Sequence, residues 1–262
     1  MSEGVWRWNV NSVWENFSSL CQEATLAKEA VNDFRRYHHT KAALFFGVNC
    51  IESFFNQLMR EHLAGQGIEE DAIRKKLRNA SFKHKLEKWI EELCENPIIP
   101  EEETTRLLEW YRETRNEVTH PKNKDHSIYL DLDKVRFTDF QTTVAEYMVR
   151  IHEARKEVFP YWLFGVNFVG MNGDYRYPCL SNNMDFLGAL RWMGVRGIPS
   201  PVGEANKWLQ VCMGSLKGYR EGVAVVKKLG CESRYIEYPA KPRLCWRWWD
   251  DQHIKNCGLP AQ

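Results

Sequence analysis

Apolar residues in the first ~158 positions recur every three to four residues, the period of helices that bury one face. Val13, Phe17, Leu20 and Ala24 form the first such stripe, and Ser12 is placed to cap a helix running to about Tyr37. A second helix is expected from about Lys41 to Leu63, closed by Gly65-Gln66-Gly67, with Leu44, Val48, Ile51, Phe55 and Leu58 on a broad apolar side. Shorter helices are expected over Glu69–Arg78 and Phe82–Glu95, before Pro97 and Pro100 break the pattern. Glu101 to His120 reads as the next helix, with glutamates in its first turn, where the macrodipole favours them. Pro121 to Asp133 reads as loop, and Thr138 or Asp139 opens a helix that continues to about Val158.

The pattern changes at Phe159-Pro160. Tyr161 to Gly170 is rich in aromatic and β-branched residues, and Met171-Asn172-Gly173-Asp174 is a hairpin-type turn. A short helix over Met184–Met193, a loop over Gly194–Gly203 and a longer helix over Glu204–Leu229 are expected next. Two strand-like runs, Arg234–Tyr238 and Leu244–Trp249, follow. The expected fold is therefore mainly α: an N-terminal antiparallel helical bundle over 1–158, with a smaller α+β domain over 159–262.

Of the 262 residues, 44% are apolar and 27% charged, ordinary globular values. A formal net charge of +1 argues against a surface built throughout for nucleic acid, although a local basic cluster remains open. No run reaches the roughly 18 apolar residues of a membrane span, and Met1 to Asn11 lacks the basic start and apolar run of a secretory signal. Eight cysteines include no C-x-x-C pair, so reduced thiols and a cytoplasmic setting are expected. Cys231, Cys245, His253 and Cys257 have gaps matching no common zinc pattern, and neither metal nor cofactor is expected. Arg243 and Arg247 among Trp246, Trp248 and Trp249 fit either a half-buried strand or a basic aromatic surface for single-stranded RNA.

Two polar features carry candidate chemistry. Asn49, Glu52 and Asn56 lie within about 60° of each other beside the apolar side of the second helix. A carboxylate flanked by Phe54 and Phe55 is costly to bury alone. Glu52 is therefore either partnered or part of a solvated seam. On the Glu101–His120 helix, Leu107, Tyr111, Thr114 and Val118 form the core-facing stripe. Asn116 and His120 point together to the opposite side, with Arg115 between the faces. An arginine can neutralise a phosphate and an imidazole can move a proton near pH 7, so Arg115-Asn116-Glu117-Val118-Thr119-His120 can serve phosphodiester chemistry without a metal. The competing reading of His120, next to Pro121, is a plain helix end.

An all-helical domain with Glu52 and Asn56 on an apolar helix, then Arg-Asn-x3-His ending a later one, resembles the HEPN family over residues ~12–158. Many HEPN proteins are ribonucleases of toxin, CRISPR and phage-defence systems. The resemblance implies a homodimer whose two Arg–His motifs line one composite cleft. Arg115 would grip the scissile phosphate and His120 would act as general base or acid while the RNA's 2′-hydroxyl attacks. Asn116 would orient a phosphate or the histidine, Glu52 and Asn56 would support the site, and no metal or other cofactor would be required. In one subgroup a tyrosine two residues past the histidine is adenylylated by a partner enzyme; here that position is Lys122. Lys122 and Lys124 are instead candidates for the RNA backbone. An antitoxin or other regulatory partner is compatible with the family. The alternative is a non-catalytic helical module that binds a nucleotide or a protein.

Overall fold

The computed structural model describes residues 11–95, 102–120, 127–165, 167–168, 187–188, 190–191, 211–232 and 236–239, and they are mainly helical. α1 (Ser12–Lys28) and α2 (Asp33–Gly65) form the central hairpin. The Cys50 thiol donates to the Val13 carbonyl, and His39 Nδ1 meets Glu23 Oε2 at 2.7 Å. Pairing 13 with 50 and 23 with 39 makes the two helices antiparallel. Val13, Phe17, Leu20 and Ala24 of α1 pack into the same core as Leu44, Val48, Ile51, Phe55 and Leu58 of α2, all buried as their spacing predicts.

The boundaries differ from the sequence reading in physical detail. Asn11, not Ser12, caps α1, its side-chain oxygen accepting from the Trp14 amide at 3.0 Å. The first helix stops at Lys28, well short of Tyr37. Asn32 then caps α2 by accepting from the Arg35 amide, so α2 begins eight residues before Lys41. No glycine or proline marks that break; the only signal is the capping asparagine.

α3 (Glu70–Asn79) follows, then a segment in which α4 (Phe82–His84) passes through a five-residue π-helical turn, Lys85–Trp89, into α5 (Ile90–Leu93). α6 (Glu102–Thr119), α7 (Ser127–Asp133) and α8 (Phe137–Ala154) close the bundle. α7 falls within the stretch read as loop. It is held by Arg36 and Tyr37 of α2, both bonded to Asp133 Oδ1. α8 opens at Phe137, before the predicted caps Thr138 and Asp139, without a side-chain cap, and ends at Ala154, not Val158. Phe140 of α8 lies against Tyr111 of α6, ring centroids 4.0 Å apart, and against Gly47 of α2. A Cβ at Gly47 would stand 2.3 Å from that ring, so this close helix crossing requires the glycine.

Beyond α8 the core continues without a break. Tyr161–Phe164 is a 3-10 turn, not the start of a strand, and all four side chains are buried. Aromatic richness there reflects packing on several sides, as in the Phe17–Trp162 contact at 5.7 Å. α9 (Leu216–Glu232) is docked by a bidentate Arg220–Glu146 pair, both bonds 2.8 Å. Residues 211–213 are also helical, whereas 204–210, in the helix predicted from Glu204, lie outside the described residues. Leu187 and Leu190, in the predicted Met184–Met193 helix, are helical and buried. β1 (Asn167–Phe168) and β2 (Ile236–Glu237) form a two-residue antiparallel ladder. The 171–174 turn, the Leu244–Trp249 run, Pro97 and Pro100 lie outside the described residues.

His152 supplies a test of α8 packing. It is largely buried beside the Phe54 ring, and burial pushes its imidazole down to about 4; nearby Glu157 opposes that shift but is engaged by Arg155. Below pH 6.5 the unfolded chain binds a proton that the fold refuses. Stability is therefore complete above about pH 6.5 and falls as pH drops towards 4, by ~2–3 kcal/mol. Chemical denaturation at pH 7 and pH 4.5 should show that loss in the wild type and a markedly smaller one in His152→Phe.

Candidate functional site

The site is built where α2, α6 and the π-helical turn meet. Asn49, Glu52 and Asn56 are each part-buried along one edge of α2. Arg115 of α6 reaches across and donates through Nη2 to Glu52 Oε2 at 3.4 Å. Glu52 thus has the partner that a part-buried carboxylate calls for. At that distance, with 18% of the Arg115 side chain and 31% of the Glu52 side chain exposed, the pair is loose and contributes no more than about 1 kcal/mol. Arg115 Nε is buried with no hydrogen-bond partner among the described residues. The guanidinium is anchored at one nitrogen and under-satisfied at another.

Asn56 has a different partner. Its side-chain oxygen accepts from Lys85 Nζ at 2.9 Å, and Lys85 is only 5% exposed. Burial pushes the Lys85 ammonium below its usual value, while the negative charge of Glu52 opposes that shift. Glu52 therefore stands within the field of two cations from two other elements. Sequence reading missed Lys85. The signal was its place on the apolar stripe Phe82, Lys85, Leu86, Trp89, Ile90, Leu93, where a lysine has to find a buried partner. It opens the π-helical turn, a rare local geometry that often accompanies functional sites.

α6 presents the remaining residues differently. Leu108, Tyr111 and Thr114 are buried, while Leu107 and Val118 are part-buried against the core. His120 is exposed at the helix end, where its amide donates to the Asn116 carbonyl at 2.8 Å. Neither the Asn116 nor the His120 side chain bonds to a described residue. Arg115 and His120 are five residues apart, about 140° around the helix, so one turns towards α2 and the other to the surface. The structure brings together Glu52 with Arg115, and Asn56 with Lys85; it does not join Arg115 to His120 within one chain. Lys122 and Lys124 lie outside the described residues, as do Cys245, His253, Cys257, Arg243 and Arg247. Cys231 is exposed. Among the described residues no three His, Cys, Asp or Glu side chains gather to hold a metal, and no helix is long and apolar enough to cross a membrane.

Compared with known proteins, the chain matches no family model, no curated protein and no solved structure.

The cluster predicts separable effects of two substitutions. Glu52→Ala leaves both Arg115 and Lys85 without their anion and should lower stability by ~1–2 kcal/mol; its partial exposure keeps the loss below that of a fully buried pair. Glu52→Gln keeps an oxygen for Arg115 and should lose less. Denaturant midpoints of the two variants check this order, and an unchanged midpoint in both would make the stripe a solvated seam.

Proposed function

We propose that the chain is a metal-independent endoribonuclease of HEPN type, a bacterial toxin or phage-defence effector working in the cytoplasm as a homodimer. The helices up to Ala154 would be the HEPN-like bundle, and residues 159–262 a smaller α+β part, its described residues sharing the bundle's core, that recognises a trigger or restrains the nuclease. The observation that carries the reading is the state of the motif. Arg115 is held by Glu52 through a loose, partly exposed pair, and His120 is exposed on the same helix with no side-chain bond to a described residue. A partly exposed guanidinium suits a phosphate, and an exposed imidazole can take and give a proton.

In the proposed reaction His120 removes the proton of the RNA 2′-hydroxyl. That oxygen attacks the adjacent phosphorus and the P–O5′ bond breaks, leaving a 2′,3′-cyclic phosphate. The departing 5′-oxygen takes a proton from the second histidine of the pair. Arg115 stabilises the negative charge that builds on the phosphoryl oxygens. A substrate with a single 2′-deoxynucleotide at its cleavage site tests the step: cleavage there should stop, and cleavage that persists excludes 2′-hydroxyl attack.

A second reading rests on the same contacts. Glu52–Arg115 and Asn56–Lys85 both join separate helices, as purely structural pairs would, in a non-catalytic module that binds a nucleotide or a protein. That reading predicts that purified protein leaves every RNA intact.

A further inference from the structure

Residues of α1, α8, the 3-10 turn and α9, with Tyr238 and Pro239 just after β2, line an open-mouthed cavity of about 340 Å³, within the roughly 300–1,000 Å³ range of small-molecule sites. Its floor is apolar and aromatic: Phe17, Leu163, Phe164 and Tyr219 are each at most 5% exposed, with Val223 beside them. Its rim is polar: Lys28 and Lys227 line it, and among the described residues that line it there is no aspartate or glutamate. Lys28 Nζ donates to Thr138 Oγ1 at 3.1 Å, which leaves the Thr138 hydroxyl proton free to point inwards.

Several polar groups around this space are uncommitted. The side chains of Gln141, Thr142 and Lys227 have no hydrogen-bond partner among the described residues, and neither does the Tyr219 hydroxyl. Tyr219 is the telling member. It is 5% exposed, stacked on Phe164 at 5.8 Å and edge-on to Phe159, and its hydroxyl, at the cavity wall, has no hydrogen-bond partner among the described residues. A phenol hydroxyl that reaches a cavity with no bond to a described residue is available to an acceptor brought from outside.

We propose that this cavity binds a small organic anion with a flat apolar body. The aromatic floor takes the body, Lys28 and Lys227 take the charge, and Tyr219 and Gln141 fix its orientation. The binding stands apart from the Arg115–His120 site and does not depend on its chemistry.

The probe is 8-anilinonaphthalene-1-sulfonate, a flat aromatic anion whose fluorescence rises on entering an apolar site, compared with its uncharged counterpart N-phenyl-1-naphthylamine. The full-length wild type should bind one sulfonate per chain saturably. Lys28 and Lys227 are exposed, so the double variant Lys28→Glu/Lys227→Glu should fold normally and bind the sulfonate about tenfold more weakly. Its affinity for the neutral compound should be unchanged. Val223→Trp, which fills the cavity, should abolish both. Absence of saturable binding, or equal sulfonate affinity in the wild type and the double variant, would overturn the proposal. So would binding removed by Phe34→Ser, because Phe34, 84% exposed in the first turn of α2, would then be holding the dye.

Discussion

His120→Ala and Arg115→Ala are each expected to lower RNA cleavage by at least about two orders of magnitude, the usual effect of losing a proton-transfer group or a preorganised charge stabiliser. The two should differ in their effect on the fold. His120 is exposed and its side chain bonds to no described residue, so its removal should leave the thermal midpoint unchanged. Arg115→Ala strands Glu52, but through a loose and partly exposed pair, so the loss of stability should stay within about 1 kcal/mol. Arg115→Lys would restore the charge without the planar fork that meets two phosphate oxygens, and its activity should fall between those of the wild type and Arg115→Ala. Both alanine variants retaining full activity would assign the motif a structural role.

A larger structural consequence follows from the position of Arg115 and His120 on α6. With about 140° between them around the helix, one chain does not aim both at a single phosphate. A second copy related by a two-fold axis would supply the missing group, and His120, exposed at the end of α6, would lie at such an isologous contact. A homodimer is therefore expected in solution, with both His120 side chains lining one cleft. At a ninefold excess of His120→Ala chains, random pairing leaves about a tenth of the wild-type chains in wild-type dimers. Activity per wild-type chain should fall by that factor once subunits have exchanged. Activity that merely tracks the wild-type concentration, or a monomer of full activity by light scattering, would rule out the composite site.

The helical core was legible because its periodicity is strong. Every apolar position read on the faces of α1 and α2 is buried, since a wide apolar stripe leaves a helix little choice of orientation. Boundaries were less legible. The α1–α2 break rests on one capping bond from Asn32, and α7 is too short for its periodicity to stand out between Pro121 and Phe137. The 3-10 turn at Tyr161–Phe164 escaped because buried aromatics look alike in a strand and in a tight turn. Within the site, the need for a Glu52 partner was readable from the cost of burying a carboxylate, and Arg115 meets it. The burial of Lys85 was not recognised, because a lysine among Lys83, Glu87 and Lys88 reads as one more exposed charge until its place on the stripe from Phe82 to Leu93 is considered. That Arg115 and His120 face different ways depends on counting five residues, and on the helix continuing regularly to His120, which its 2.8 Å backbone bond to Asn116 shows.

The most direct measurement is incubation of purified full-length protein with mixed cellular RNA in excess EDTA, with mass-spectrometric identification of the new ends. Cleavage with 2′,3′-cyclic phosphate or 3′-phosphate ends, absent from the His120→Ala preparation, is the predicted result. Intact RNA, cleavage that EDTA abolishes, or equal cleavage by His120→Ala would contradict the account.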